Sequence, residues 1–535
     1  MMPTKMSVGL AAAVSSLLLL GACSADVSEG SGSEATTLEI VAAEPSSGLD
    51  PATAVTQASL RVTELIYDTL VDYDEDNNLI PMIAESWKLS DDELTYDFAI
   101  RSEAKFSDGT TITADDVVFS IKRAAESDAL KAPLAVMKDI EAVSPTQVKI
   151  TLSKPSRVFL NALASTGSAA ILSQKAVEAD PDYFVAPNAT SGPWTLEEMV
   201  PKSHATLKAN PNYWNAGYPK LQTITYTFST DTTANAAALE TGTADMTYNM
   251  VPADAVRLEK AGSIQFFEAP SPGILMWGLD KSKPPFSDVD VRQAVAYMVP
   301  REERLETCWS GVGPVSYGDL IFEDSPLYVE GEQRFDVPDD EALATAGDLL
   351  DKAGWVMGSN GVRESKGADG VPDGTKFAVD VPYENTWPQA RCNTEMLQQS
   401  LKPLGVAVTP KAYDSASFYT DVAADKFTMY HAGNNYPTDD AYFAQSFTCD
   451  GSVTNLIAKW CNKEVDQLIA EAQATSDIDE AAQLYRQVQD IILDEQPMIA
   501  TGAQYAVIGA SPKLEGYYPR ADASNRALMY ATLTQ

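Results

Sequence analysis

Histidine is scarce in this chain of 535 residues, which contains two, His204 and His431. The sequence has no His-Glu-x-x-His motif and no Gly-x-Ser-x-Gly motif around a serine nucleophile. The stretch 370–376 ends in Gly-Thr-Lys rather than the Gly-Lys-Thr of a phosphate loop. These are the patterns that carry zinc, serine and nucleotide chemistry. We therefore predict no catalytic residue, and an exported hydrolase is the remote alternative.

Basic residues are outnumbered two to one. The chain has 38 lysines and arginines against 76 aspartates and glutamates, for a formal net charge of −38. Phosphate backbones and anionic lipid surfaces attract the opposite sign. This composition argues against nucleic-acid binding and against a polybasic mode of membrane attachment, and we interpret the surface as a solvated acidic one.

Long apolar runs are lacking except at the N-terminus. Lys5 precedes an apolar run over 9–20, which is shorter than the about 20 residues that a membrane-spanning helix needs. A basic start, a short apolar stretch and small residues after it are typical of a secretory signal, predicted over 1–22. The run ends in Leu20-Gly21-Ala22-Cys23, which resembles the bacterial lipobox, where the cysteine is acylated. An ordinary signal with an incidental cysteine is the alternative.

Large apolar side chains are nearly absent from 23–36, which is rich in serine, glycine and acids. Such a segment cannot bury enough surface to fold, so we predict a flexible, lipid-anchored tether. The roughly 500 residues that follow exceed what one hydrophobic core usually organises, which predicts two or more lobes. We expect a monomer outside the cytoplasm, anchored through Cys23 to the outer face of the cell membrane.

Cysteine is also sparse, with four residues besides Cys23: Cys308, Cys392, Cys449 and Cys461. An even number in an exported chain predicts two disulfides. Cys449 and Cys461 are close enough in sequence to close a small loop, which would leave Cys308 for Cys392. Three pairings are possible, and the sequence does not choose among them. No Cys-x-x-Cys spacing occurs, so we predict no metal site and no cofactor.

Apolar periodicity predicts both strands and helices. Alternation indicates strands over 93–101, 147–153 and 222–228, and apolar stripes at helical spacing lie over 291–298, 465–472 and 484–492. Thr113 followed by two aspartates predicts a helix start. From about Val289, helices alternate with strands near 377–381 and 406–408, which is typical of an α/β lobe.

A series of short blocks resembles the extracellular solute-binding proteins of the peptide and nickel class. These blocks occur in the expected order from about Leu38 to the C-terminus. They are Leu49-Asp50-Pro51, Tyr67-Asp68-Thr69-Leu70, Pro81 to Trp87, Tyr96-Asp97-Phe98, Phe106 to Gly109, Thr113 to Ser120, Ser191 to Trp194, Asn212-Tyr213-Trp214, Pro285 to Asp288, Val291 to Ala294, Ala353-Gly354-Trp355 and Tyr485-Arg486.

The resemblance implies an α/β, two-lobed periplasmic-binding-protein-like fold of type II, in the large class that carries an extra subdomain. Two hinge strands are expected near 273–280 and 497–504. Lobe I would comprise 37–70, 190–275 and 505–535, with the extra subdomain at 71–189 and lobe II at 280–500.

The resemblance also implies a function. Members of this class hold a solute in the cleft between the lobes, close around it, and deliver it to the permease subunits of an ABC importer. The resemblance makes a peptide the expected solute. In members that bind peptides, the backbone of the extended peptide pairs with the protein backbone, which gives affinity without strong sequence choice. The chain is expected to be a binding protein and not an enzyme.

Candidate ligand-binding residues are those beside the contact positions that the resemblance implies. They are Glu44, Pro45, Ser46 and Ser47 in lobe I, Met276 and Trp277 on the first crossing strand, Tyr383, Asn385 and Trp387 after a lobe II strand, and Asn434, Asn435, Tyr436 and Asp439.

Asn435 departs from the pattern of the peptide-binding members, which place an aspartate there against the free amino group of the peptide. An amide supplies no charge, and charge-assisted hydrogen bonds are about twice as strong as neutral ones. Either Asp439 or Asp440 substitutes, or the solute has no amine at that point. An oligosaccharide or a modified amino acid is therefore the alternative solute. A receptor that senses a peptide without importing it is a further one.

Overall fold

A computed structural model describes residues 36–534, except 55, 76–77, 128–133, 270–271, 386, 437, 452–458, 504 and 521–523. The predicted signal peptide, Cys23 and all but the last residue of the predicted tether lie outside this range. None of the helices in the described part of the chain is both long and apolar enough to cross a membrane.

The helices are α1 (Gln57–Ile66), α2 (Ala114–Ala125), α3 (Val158–Ala162), α4 (Thr166–Ala169), α5 (Gln174–Ala179), α6 (Thr232–Glu240), α7 (Pro252–Lys260), α8 (Val289–Tyr297), α9 (Arg301–Trp309), α10 (Asp339–Lys352), α11 (Pro388–Leu401), α12 (Ser415–Ala423), α13 (Asp439–Phe447), α14 (Lys463–Ala474) and α15 (Ile478–Glu495), with 3-10 turns at Tyr183–Val185 and Arg526–Met529.

The strands are β1 (Thr37–Ala42), β2 (Val71–Tyr73), β3 (Leu79–Pro81), β4 (Ala84–Leu89), β5 (Thr95–Ile100), β6 (Met137–Ser144), β7 (Gln147–Leu152), β8 (Trp194–Val200), β9 (His204–Ala209), β10 (Thr223–Phe228), β11 (Met246–Thr247), β12 (Gln265–Ala269), β13 (Gly273–Leu279), β14 (Trp355–Met357), β15 (Arg363–Ser365), β16 (Ala378–Glu384), β17 (Ala407–Tyr413), β18 (Met429–Asn435), β19 (Met498–Gly502), β20 (Ala506–Ala510), β21 (Leu514–Glu515) and β22 (Thr532–Leu533).

A seven-stranded sheet organises one part of the molecule. Its strand order is β12-β20-β11-β1-β10-β9-β8, with β1 parallel to both β10 and β11. The strand predicted over 222–228 is confirmed as β10, and its Ile224 and Tyr226 are buried in the core under this sheet. Residues from both ends of the chain share this core, since Leu38 packs there with Leu528.

An antiparallel sheet of four strands, β4-β5-β7-β6, has a separate core. The alternating strands predicted over 93–101 and 147–153 are confirmed as β5 and β7, with Phe98 and Ile150 buried between sheet and helices. Helix α2 begins where Thr113 predicted it. The carboxylate of Asp116 accepts the Thr113 N–H at 3.0 Å, closing a capping box that satisfies free backbone groups.

Gly192 shows why one of the recognisable blocks needs its glycine. A Cβ atom added there would lie 2.5 Å from the carbonyl carbon of Ile66 and 2.6 Å from the nitrogen of Tyr67. Backbone atoms cannot yield as a flexible side chain can. The block Ser191 to Trp194 therefore brings its chain segment against the end of α1 only because residue 192 has no side chain.

The chain from 273 to 502 forms a third part, with a three-stranded antiparallel sheet β18-β13-β19 at its centre. Strands β16 and β17 pair in parallel, as the predicted helix and strand alternation requires. The predicted helical stripes are confirmed in α8, α14 and α15, whose apolar faces are buried. Cores cover both faces of the central sheet, so β13 is buried along its whole length.

Two disulfides join cysteines of this third part. One links Cys308 of α9 to Cys392 of α11, and the other links Cys449 to Cys461. This is one of the three pairings that the sequence allowed.

Candidate functional site

Two antiparallel strands connect the seven-stranded sheet to the three-stranded sheet. Strands β12 and β20 pair in the first sheet up to Ala269 and Ala506, and β13 and β19 pair in the second from Leu275 and Gly502. The crossings therefore lie between Ala269 and Gly273 and between Gly502 and Ala506. The first crossing meets the predicted hinge range 273–280 only at Gly273, and the second overlaps the range 497–504 only at its end. Most of each predicted range belongs to the three-stranded sheet.

The end of β18 lies directly against the first crossing. Asn435 is opposite Gly273 in the strand register, and the Tyr436 N–H donates to the Pro272 carbonyl at 2.6 Å. Asn434 is half-buried and its Oδ1 accepts from the Ile274 N–H at 3.4 Å. The side chain of Asn435 lies outside what the structure describes. Burial raises the pKa of Tyr436, so its hydroxyl stays protonated.

An aromatic group lies on the neighbouring part of β18. The ring of His431 is 5.8 Å from that of Trp277 and 5.2 Å from that of Trp387, and Trp309 is 6.0 Å from Trp387. Trp277 is fully buried, whereas Trp387 is half-buried at the start of α11. Burial, with a smaller effect from the nearby Arg304 guanidinium, lowers the pKa of His431 to about 3. This histidine is therefore neutral at physiological pH.

Three other predicted residues surround this group at different depths. Met276 is fully buried on the opposite face of β13 from Trp277. Tyr383 is 8% exposed near the end of β16, and Asn385 is exposed, with its N–H donating to the Tyr413 carbonyl at 2.8 Å. Of the residues predicted on these segments, Trp387 and Asn385 are thus the more accessible to a solute.

Acidic and hydroxyl side chains meet near the second crossing. Ser325 donates to the Asp439 carboxylate at 2.5 Å, and the Tyr505 hydroxyl donates to Asp324 at 2.9 Å. Burial raises the pKa of Asp439 to about 7, and the charges of Asp440 and Asp324 act in the same direction. Asp439 therefore holds its proton more strongly than an exposed aspartate does.

Asp440 is engaged differently from its neighbour. It is 4% exposed, and its Oδ1 accepts from both Arg157 and the Tyr485 hydroxyl at 2.6 Å. Its carboxylate therefore already has two donors, one of them charged.

The predicted loop of Glu44 to Ser47 belongs to the seven-stranded sheet, after β1. Glu44 is half-buried and accepts a backbone N–H from the β8–β9 turn at 3.0 Å, and Pro45 is buried. Ser46 is exposed, and Ser47 Oγ lies 3.1 Å from the hydroxyl of Thr56, the residue that caps α1. The loop is thus anchored to the start of α1. The structure brings the other three predicted segments together around β18 and leaves this loop on the far side of the crossings.

The parts of the chain that the structure describes contain no group of three or more histidine, cysteine, aspartate or glutamate side chains that could hold a metal ion.

The sequence model described as bacterial extracellular solute-binding proteins, family 5, middle part, matches residues 78–454. The chain belongs to this family. The glutathione-binding protein GsiB of Salmonella typhimurium is 28% identical over 524 residues, which cover 96% of this chain and 95% of GsiB. The family is one of substrate-binding proteins of ABC importers, so the family-5 chain binds a solute.

Solved structures share the fold. The oligopeptide-binding protein AppA of Bacillus subtilis, in complex with a nonapeptide, superimposes with a TM-score of 0.73 at 23% identity, covering 94% of this chain and 100% of AppA. AgaA of A. tumefaciens, in complex with agropinic acid, has a TM-score of 0.72 at 24% identity, covering 93% and 99%. The family-5 chain therefore has the predicted type II, two-lobed fold with two hinge strands.

Several residues at the crossings were not predicted from the sequence. Asp324, Ser325 and Tyr505 lie there with Asp439, and Glu268 accepts the Gly313 N–H at 3.0 Å across the same junction. They are separated by more than fifty residues or lie in irregular segments, so neither periodicity nor a motif signalled them.

Proposed function

We propose that this protein captures a short peptide between two lobes by hinge closure and hands it to the permease subunits of an ABC importer, without catalysing a reaction. In this proposal lobe I comprises 37–70, 190–275 and 505–535, the extra subdomain comprises 71–189, and lobe II comprises 280–500. The observation that carries it is the pair of antiparallel strands that cross between two sheets, with polar and aromatic side chains at the crossings. Contacts from both lobes exist together only when the lobes close, so binding favours the closed form.

A peptide is supported by the relative named as glutathione-binding, which is similar along nearly the whole chain. The shared fold alone does not choose the solute, since AppA holds a nonapeptide and AgaA holds agropinic acid. A modified amino acid or an oligosaccharide is therefore the alternative solute for the same mechanism. We further propose attachment to the outer face of the membrane through Cys23.

We propose that Asp439 receives the free amino group of the peptide in place of the aspartate that Asn435 replaces. Asp440 is poorly suited, because its carboxylate is buried and bound to Arg157 and Tyr485. Among the described residues, Asp439 accepts a hydrogen bond from the uncharged Ser325 hydroxyl near the second crossing.

The identity of the solute is the first test. The protein is purified gently and denatured, and the released small molecules are identified by mass spectrometry. We expect short peptides, because tight closure slows release and retains solute through purification. A single sugar or modified amino acid would overturn the peptide assignment while keeping the cleft mechanism. If nothing is released, glutathione and free-acid tripeptides are tested by thermal shift, since a ligand of the native state raises stability with concentration.

The pH dependence of binding tests the role of Asp439. Burial raises the pKa of Asp439 to about 7, above the about 3.9 of an unfolded aspartate. Between these two pKa values the native state binds a proton at Asp439 that the unfolded state has released. The stability that protonated Asp439 contributes is therefore fully present at low pH and declines as pH rises from about 4 to about 7. An ammonium group favours the carboxylate, so affinity for a tripeptide with a free amine should rise between pH 5 and pH 8.

Asp439→Asn should abolish this rise and weaken tripeptide binding at pH 8 by about ten- to a hundredfold, the range for a charge-assisted hydrogen bond. Asp380→Asn, at an aspartate whose side chain is 65% exposed, is the matched control and should bind normally. Isothermal titration at several pH values provides the measurement. Equal affinity for free and N-acetylated tripeptides would contradict the assignment of Asp439.

A further inference from the structure

We propose that Arg157 forms a latch between the extra subdomain and lobe II, and so raises solute affinity without contacting the solute. The latch comprises Arg157 with its acceptors Asp440, Ala472 and Gln473. This inference rests on the proposed hinge closure. Arg157 precedes α3, which packs in the core of the four-stranded sheet through Phe159. Its acceptors lie on α13 and at the end of α14, which pack in the core around the outer face of the three-stranded sheet.

The contact is short and shielded from water. Arg157 Nη2 lies 2.6 Å from Asp440 Oδ1, and the two side chains are 14% and 5% exposed. The same Nη2 donates to the Ala472 carbonyl at 3.3 Å, and the Arg157 N–H donates to the Gln473 carbonyl at 3.0 Å. A cation at these carbonyls also faces the negative end of the α14 dipole. One arginine thus binds two helices of the other lobe.

Contacts within lobe II hold Asp440, the acceptor of the latch, in position. The Tyr485 hydroxyl donates to Asp440 Oδ1 at 2.6 Å, and Gln473 Nε2 donates to the Asp440 carbonyl oxygen at 3.2 Å. Neither contact crosses between the lobes, so both persist when the lobes separate. Asp440 therefore keeps a partner in the open form, and Arg157 becomes hydrated there. This arrangement makes the latch reversible, because opening leaves no buried charge without a partner.

The contact has the character of a docking interface and not of a shared core. The core of the four-stranded sheet and the core that contains Tyr485 have no residue in common. The neighbouring contact is polar as well, since the exposed Ser476 donates to the half-buried Glu93 at 2.6 Å. Polar, separately supported surfaces of this kind separate readily when domains move.

The apparent affinity for a solute is proportional to the fraction of solute-free molecules that are already closed. Loss of the latch should therefore lower the ratio of closed to open molecules in the absence of solute. It should lower the affinity for every solute by the same factor. A charge-assisted contact worth one to two kcal/mol corresponds to about a five- to thirtyfold change in that ratio.

The closed population is measured directly by a distance between two spin labels. Val185 of the extra subdomain is 69% exposed and Met357 of lobe II is 50% exposed. Val185→Cys and Met357→Cys provide labelling sites in the full exported chain, where the four other cysteines outside Cys23 are held in disulfides. We expect Arg157→Gln to lower the ratio of short-distance to long-distance molecules by about five- to thirtyfold. Arg157→Lys should restore part of the short-distance population.

Arg101→Gln is the matched control. Its side chain is 21% exposed, and it pairs with Glu103 and the Met82 carbonyl within the extra subdomain. Its distance distribution should equal that of the unsubstituted chain, and its urea midpoint provides a check on folding. Identical distributions for Arg157→Gln and the unsubstituted chain would overturn the latch. Because no solute is used, that result leaves the peptide proposal to the mass-spectrometric test.

Discussion

Asp68→Ala should lower the free energy of unfolding by about 3 to 5 kcal/mol, the range for breaking a buried ion pair by removing one partner. Asp68 is fully buried, and its Oδ1 lies 3.2 Å from Arg526 Nη1. The Arg526 side chain is 4% exposed, so without Asp68 its buried charge would keep the influence of Asp72 but lose the carboxylate that lies 3.2 Å away. Burial raises the pKa of Asp68 to about 6, against the opposite effect of Arg526, so most of the carboxylate is ionised at pH 7.

Asp68 also organises neutral groups. Trp214 Nε1 donates to it at 2.9 Å and the Tyr213 hydroxyl at 3.4 Å. Its own N–H donates to Ser191 Oγ at 2.9 Å. Asp68 therefore links Tyr213 and Trp214 through its carboxylate to Ser191 through its backbone N–H, and Tyr213 packs in the core of the seven-stranded sheet.

Equilibrium unfolding in urea measures the effect. Asp50→Ala provides the control, since Asp50 pairs with Arg123 but both side chains are at least 20% exposed. A partly exposed pair is worth about 0 to 1 kcal/mol, and the two hydrogen bonds between Arg123 and Asp50 place this pair at the upper end of that range, so the variant should lose less stability than Asp68→Ala. Comparable losses in the two variants would show that burial does not set the energy of the Asp68 pair.

The Asp68 contacts explain why the sequence was sufficient to predict the fold. The blocks of Tyr67 to Leu70, Ser191 to Trp194 and Asn212 to Trp214 lie more than a hundred residues apart or in separate elements. They meet at Asp68, whose backbone N–H donates to Ser191 and whose carboxylate accepts from Trp214. A family resemblance in ordered blocks therefore reports a set of residues that pack on one another. The periodic segments were predicted for a simpler reason, because burial of one face enforces the spacing.

Contacts between distant polar residues could not be predicted in the same way. Arg157 and Asp440 are 283 positions apart, and an isolated arginine or aspartate carries no periodic signal.

Predicting Met276 and Trp277 as ligand contacts relied on their place in a crossing strand. Cores cover both faces of that strand, and neighbouring strands flank both its edges, so its side chains are buried by the elements that flank it. Periodicity identifies a strand and does not reveal its place in a sheet.

Removing the disulfide of Cys308 and Cys392 should have the second large effect. These cysteines are 84 positions apart, and cross-linking a loop of that length stabilises a protein by about 4.5 kcal/mol in the chain-entropy description. The bond of Cys449 and Cys461 spans 12 positions, for which the same description gives about 3 kcal/mol. The double serine variant of the longer loop should therefore unfold at the lower urea concentration.

The two disulfides should also differ in their effect on binding. Cys308 precedes Trp309 on α9, and Cys392 precedes Asn393 on α11. Trp309 lies against Trp387 with ring centroids 6.0 Å apart, and Asn393 lies 3.0 Å from the ring nitrogen of His431, which contacts Trp387 as well. The bond thus holds together the two helices that position Trp387 at the proposed cleft.

Cys308→Ser/Cys392→Ser should weaken binding of the solute recovered from the native protein, measured by titration at a temperature where the variant remains folded. Cys449→Ser/Cys461→Ser has the same change in chemistry at a site without contacts to Trp387 among the described residues. It should bind with nearly native affinity. If both variants bind equally well, Trp387 does not depend on the α9–α11 disulfide for its position. If both bind equally poorly, the loss follows from global stability and not from the geometry of the cleft.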